Sequence, residues 1–117
     1  MISIQEVSYF YNRSKGEQIK KISMEIDKGE IILLCGKSGS GKTTVTRLLT
    51  GLERPTEGRI IYNGKNVTDE GAAKRSRFIG YVFQQPERQM FMPTVREEIG
   101  FGPYQQGKRG SELDELV

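Results

Sequence analysis

Residues 36–43 of the chain read GKSGSGKT, and what stands on either side restricts the fold more than any other stretch. Before it, residues 30–35 (EIILLC) form a short run that is apolar after Glu30 and bounded by Gly29 and Gly36. That is the pattern of a strand covered on both faces in a mixed or parallel sheet. After it, TTVTRLLTGL places Val45, Leu48, Leu49 and Leu52 at helical spacing. The spacing predicts a strand, a glycine-rich loop and a helix, in that order.

The loop fits the pattern of G, any four residues, G, K, then S or T. Gly36, Gly39 and Gly41 can adopt backbone conformations that turn successive N–H groups inward, so the main chain of Gly36, Lys37, Ser38, Gly39, Ser40 and Gly41 makes a concave anion site. The helix that follows adds the partial positive charge of its N-terminus. In such a site Lys42 reaches the β and γ phosphates of a nucleoside triphosphate, Thr43 offers its hydroxyl to Mg²⁺, and Thr44 hydrogen-bonds the α phosphate. The Lys37 side chain reads as solvated and Cys35 as a small buried strand residue. The alternative is a glycine-rich turn that binds nothing.

Elsewhere, residues 2–11 read as a strand and NRSKGEQ as a loop. IKKISMEI reads as a second strand, in which Ile19, Ile22, Met24 and Ile26 mostly alternate. The helix after the loop should stop near Gly51, with Pro55 beyond it. RIIYN reads as a strand turning at Asn63 and Gly64, TDEGAAKRSR as a short polar helix or loop, and FIGYVF (residues 78–83) as a further buried strand. Thr94 followed by Glu97 is a capping box that starts a helix near Val95.

Composition removes several function classes. With no histidine, imidazole bases and histidine metal ligands are excluded, and with one cysteine no internal disulfide can form. Lys plus Arg number 18 against 15 Asp plus Glu, a small positive balance spread along the chain, so nucleic acid is not an expected partner. The longest apolar run falls far short of the roughly 20 residues that span a bilayer. The first ten residues lack a basic start and an apolar stretch, so neither a membrane span nor a secretory signal is expected, and the chain reads as cytoplasmic.

FIGYVF leads into Gln84, Gln85 and Pro86, and with the loop upstream the chain resembles an ATP-binding-cassette (ABC) ATPase. The resemblance implies an α/β P-loop NTPase fold of the ABC nucleotide-binding type, with residues 1–117 as an incomplete domain. It would hold N-terminal antiparallel strands, the P-loop strand and helix, and the start of a helical subdomain. It implies ATP and Mg²⁺ as cofactors. Gln84 would help coordinate Mg²⁺ and the attacking water and link the site to a membrane partner. Tyr11 matches the aromatic that stacks on adenine in this family, which needs a flat polarizable face. Tyr9 and Tyr11 share one side of the strand and Phe10 the other, so a core role for any of them stays open.

QQPERQMFMPTVREEIGFGP most resembles the ATPases of energy-coupling-factor importers, through Gln84, Pro86, Glu87, Gln89, Phe91, Thr94, Val95, Glu97, Phe101, Gly102 and Pro103. That implies a membrane-spanning transporter subunit and a second ATPase subunit as partners, at the inner face of the membrane. Met90, Phe91 and Met92 also fit a core under a loop. The family's signature loop, second acidic motif and switch histidine are not found; Asp27, Asp69 and Asp114 do not end apolar runs, and GKRGSEL reads as a flexible polar segment. No catalytic residue is therefore assigned and negligible turnover is expected of this chain alone, together with an uncovered sheet edge, unburied apolar surface and marginal stability. Two other readings stay open: a DNA-maintenance ATPase, or a module that binds nucleotide without hydrolysis.

Overall fold

Ile19 and Ile22 are three residues apart where strict alternation asks for two, and the backbone absorbs the slip. The computed structural model describes residues 1–11 and 19–117, in two compact units, Met1–Gly80 and Tyr81–Val117. The loop NRSKGEQ lies outside the described residues. In the first unit β1 (Ile2–Tyr9), β2 (Ile19–Ile26), β3 (Glu57–Tyr62) and β4 (Lys65–Asn66) form a sheet of order β2-β1-β3-β4. All its pairings are antiparallel.

Opposite β2, Ile4 pairs with Met24 and Val7 with Ile22, so β1 spends one residue more than its partner; then Val7 pairs with Ile22 and Tyr9 with Ile19, and β2 spends one more. The extra residues are bulges, with Glu6 at φ 48° and Lys21 at φ 44°. Their amides are satisfied by hydroxyls: Glu6 N–H donates to Ser23 Oγ at 3.0 Å and Lys21 N–H to Ser8 Oγ at 3.0 Å. The result keeps Ile4, Val7, Tyr9 and Ile19 all in one core.

Helix α1 (Lys42–Thr50) completes that core with Val45 and Leu48, alongside Ile60 and Val67. It ends as expected at Gly51, whose φ of 77° lets its N–H reach Leu48 O while Leu52 N–H reaches Arg47 O. Leu52 lies past the helix end and is exposed, not on the apolar face. The short helix α2 (Ala72–Arg75) delivers Arg75, which is fully buried. Its guanidinium donates to Leu48 O, Leu49 O, Val67 O and Thr68 O at 2.5–3.0 Å. It therefore ties the C-terminal end of α1 to the segment after β4.

Two expected strands are absent. Residues 30–35 form no strand, with Ile31 98% and Leu33 85% exposed, and Cys35 is exposed rather than buried. Residues 78–83 likewise form no strand, with Val82 78% exposed. Strands of this composition need a neighbour on each side and cover on both faces; among the described residues the sheet supplies neither. The mixed or parallel sheet expected around residues 30–35 is therefore replaced by an antiparallel one that does not include them.

In the second unit a 3₁₀ turn (Pro86–Gln89) precedes α3 (Val95–Gln105) and α4 (Gly110–Leu116). The capping box is formed: Thr94 Oγ1 accepts from Glu97 N–H, and Thr94 N–H donates to Glu97 Oε2 at 3.1 Å. The segment GKRGSEL is not simply flexible, because its end enters α4, which Arg96 holds through Asp114 at 2.6 Å. Phe91 meets Phe101 edge to face at 4.8 Å yet stays 62% exposed, so the Met90–Met92 stretch is not core.

Two glycines separate backbone strain from steric conflict. Asn63 (φ 45°) and Gly64 (φ 79°) make the β3–β4 turn, and a Cβ on Gly64 would meet nothing within 4 Å. Gly58, at φ 86°, backs onto the β1 bulge, where a Cβ would lie 2.4 Å from Glu6 O. Gly64→Ala should cost about 1 kcal/mol and Gly58→Ala at least about 3 kcal/mol, read from urea unfolding midpoints. Equal losses would contradict this packing.

Candidate phosphate-binding site

The loop between residues 36 and 41 closes on itself before α1 begins. Ser40 N–H donates to Lys37 O at 3.1 Å, and Gly39 (φ 79°) and Gly41 (φ 95°) hold the left-handed conformations that a side chain resists. Gly36 lies close under the loop, where a Cβ would fall 2.5 Å from Ser40 Oγ and make that hydroxyl turn aside. The loop from Gly36 to Ser40, including Lys37 and Ser38, is exposed.

Lys42 folds back over this loop. Its Nζ donates to Gly36 O and Lys37 O, each at 2.7 Å, and to Ser40 Oγ at 3.4 Å. Gly41 is the N-cap of α1 and provides no side-chain cap, and the first turn carries no acidic residue. A helix leaves its first four N–H groups without intrahelical acceptors, so this end of α1 offers uncompensated donors and the positive end of its dipole. Thr43 is exposed at that end and Thr44, beside it, is buried at 5%. Such a cradle of amides with one ammonium fits a polyphosphate, and the exposed Thr43 fits a hard cation.

Tyr11 belongs to the same unit and is 49% exposed just past β1. Its ring meets that of Tyr9 edge to face, with centroids 4.9 Å apart and planes at 85°, so the two do share a side. Tyr9 is 7% exposed, and its OH donates to Glu53 Oε2 at 2.7 Å. Burial, and after it the bond to the Glu53 carboxylate, pushes the Tyr9 phenol well above its ordinary value. Gln84 lies in the second unit, exposed, beside Phe83, Gln85, Arg88 and Gln89 around an open cleft. The structure thus gathers residues 36–44 into one loop and helix end, with Tyr11 in the same unit.

Sequence reasoning missed two polar residues that brace α1. Arg75 carries no signal, standing in a polar stretch that reads as solvated. Glu53 follows Gly51 in turn chemistry, and only the tertiary fold brings it to Tyr9.

A family profile described as ABC transporter matches residues 19–117. The chain belongs to the ABC transporter family. It is 38% identical over 117 residues to a putative ABC transporter ATP-binding protein of Pyrococcus furiosus, covering 100% of this chain and 44% of that protein. It is 39% identical over 105 residues to an energy-coupling factor transporter ATP-binding protein of Halalkalibacterium halodurans, covering 89% of this chain and 38% of that protein. Among solved structures, cbiO1 from Clostridium perfringens, part of the ABC transporter complex cbiONQ, matches with a TM-score of 0.79 and 31% identity over 97% of this chain and 46% of its own. A dimeric ATP-binding cassette in a post-hydrolysis state with ADP and Pi matches with a TM-score of 0.79 and 26% identity, over 99% of this chain and 53% of its own. The chain spans about half or less of the length of these proteins. Its fold is that of the ABC ATPase cassettes, a P-loop NTPase fold.

The raised Tyr9 phenol gives this ABC domain a defined alkaline response. A folded-state value above the unfolded one means that the stability it contributes is present below the unfolded phenol value, near 10, and lost as pH rises beyond it. The difference in unfolding free energy between wild type and Tyr9→Phe should hold steady from about pH 6 to 9 and shrink above about pH 10. A difference that stays constant to about pH 11 would remove the buried phenol from this account.

Proposed function

We propose that the chain is the ATP-binding portion of an ABC transporter ATPase subunit, in which ATP binding and hydrolysis drive solute import. The observation that carries this reading is the exposed loop of residues 36–40 opening onto the bare N-terminus of α1, with the Lys42 ammonium already held over it. Lys42 would hold the β and γ phosphates, the amides of Gly36, Lys37, Ser38, Gly39 and Gly41 would surround them while Ser40 N–H keeps the loop closed on Lys37 O, Thr44 would meet the α phosphate, and Tyr11 would stack on adenine. Thr43 and Gln84 would hold Mg²⁺. Magnesium-ATP would supply the transferable phosphoryl group.

Import is favoured by the energy-coupling factor relatives and by the Gln84–Pro103 stretch that resembles them. On this reading the partners are a membrane-spanning transporter subunit and a second ATPase subunit, and the place of work is the cytoplasmic face of the membrane. Among the described residues no helix is long and apolar enough to cross a bilayer.

Binding and turnover separate here. Within the 117 residues there is no histidine, and Asp114 is engaged by Arg96. No residue in this chain is assigned to activate water, and phosphoryl transfer needs charge stabilisation and positioning together. The chain by itself should bind magnesium-ATP and release phosphate negligibly.

Calorimetric titration with magnesium-ATP tests this. Wild type should give saturable, magnesium-dependent heat, and Lys42→Ala, with its circular dichroism unchanged, should bind about 10- to 100-fold more weakly, the loss expected for a charge-assisted hydrogen-bonding group. Absence of heat from folded wild type, or equal affinity of the variant, would refute the reading.

A further inference from the structure

An exposed aromatic side chain makes a poor platform for a flat ligand unless something limits its rotation, because the freedom lost on stacking weakens binding. Among the described residues the ring that limits Tyr11, 49% exposed, is that of Tyr9, which lies across it edge to face at 4.9 Å. Edge-to-face geometry is the favoured arrangement for two quadrupoles and selects one orientation of the outer ring.

Tyr9 is itself fixed at two points. Its ring is part of the core with Val7, Ile19 and Val45, and its OH donates to Glu53 Oε2 at 2.7 Å. Glu53 is in turn bound to the end of α1: its N–H donates to Arg47 O at 3.1 Å, and its Oε1 lies 4.0 Å from Arg47 Nη1. A continuous line of contacts therefore runs from the Tyr11 ring through Tyr9 and Glu53 to the C-terminal end of the helix whose other end carries Lys42.

We infer that Tyr9 and Glu53 are positioning residues for the nucleobase, fixing Tyr11 as an aromatic platform at a set place relative to the phosphate loop. This rests on the reading of Tyr11 as the residue that stacks on the base. Neither residue touches nucleotide; both act by orienting Tyr11. The consequence is selective. Loosening the latch weakens ligands that carry a base and spares those that carry phosphates alone.

The test measures dissociation constants of magnesium-ATP and magnesium-tripolyphosphate on the full chain and takes their ratio. Tyr9→Phe keeps the ring and loses the hydroxyl; it should weaken ATP about three- to tenfold and leave tripolyphosphate within about twofold. Glu53→Ala, which removes the acceptor without altering either ring, should shift the ratio the same way and stands in if Tyr9→Phe fails to fold. Glu53→Gln keeps an acceptor oxygen and should restore most of the wild-type ratio. Tyr11→Ala sets the limit of the effect.

Equal weakening of both ligands by Tyr9→Phe or Glu53→Ala would mean that the pair merely supports the core, and would overturn the inference. If Tyr11→Ala raises the ratio of the ATP to the tripolyphosphate dissociation constant while Tyr9→Phe and Glu53→Ala leave it unchanged, the latch is wrong and the stacking role of Tyr11 stands. If Tyr11→Ala itself leaves the ratio unchanged, the stacking reading fails and the inference falls with it.

Discussion

A helix of nine residues is too short to persist in water by its own hydrogen bonds, so α1 exists because of what it is packed against. Val45 and Leu48 enter the core formed by Ile4, Val7, Tyr9, Ile19, Ile60 and Val67. Side chains of this size contribute roughly 1.5–3 kcal/mol each when fully buried. Gly51 reverses the chain, and Arg75 takes two of the last carbonyls. All of this holds the middle and the C-terminal end. The N-terminal end is left without a side-chain cap, and the candidate site is that end.

The sheet that receives α1 depends on two bulges. If Glu6 kept regular strand geometry, Val7, three residues after Ile4, would fall on the opposite face and carry Tyr9 with it, because one slip in register exchanges the faces of a strand. The second bulge, at Lys21, restores the match for Ile19. Both residues take up φ values near +45°, a strained choice for side chains of this kind. Ser23 and Ser8 offset it by accepting from the two bulged amides. Gly58 in β3 has no side chain where Glu6 O approaches, so three neighbouring strands share one local adjustment.

What could be read from the residues follows from how local its cause is. The loop of residues 36–43, the stop at Gly51, the Asn63–Gly64 turn and the Thr94–Glu97 capping box are each settled within a few residues, and each stands where the pattern placed it. The bulge at Lys21 had a visible trace, the skipped beat between Ile19 and Ile22. Residues 30–35 and 78–83 read as strands because their composition suits burial on two faces, but pairing is a property of neighbours, and the described sheet gives them none. Arg75 and Glu53 were out of reach for the opposite reason: charged residues in polar stretches read as solvated, and only contacts distant in sequence, Leu48 O for one and Tyr9 OH for the other, draw them inward.

The position of Lys42 shows how the loop can be both ordered and ready. The Lys42 ammonium is satisfied by neutral acceptors, Gly36 O and Lys37 O at 2.7 Å and Ser40 Oγ at 3.4 Å. An anionic oxygen makes roughly twice as strong a hydrogen bond as a neutral one, so on the proposed reading a polyphosphate would compete for the same three donors. The change needed is small. Gly39 and Gly41 already hold their left-handed conformations and Ser40 N–H already closes the turn onto Lys37 O, so a lysine side chain moves while the backbone stays. A loop already ordered on its own lysine would lose less freedom on binding than a mobile one, which is the condition under which weak individual contacts sum to useful affinity.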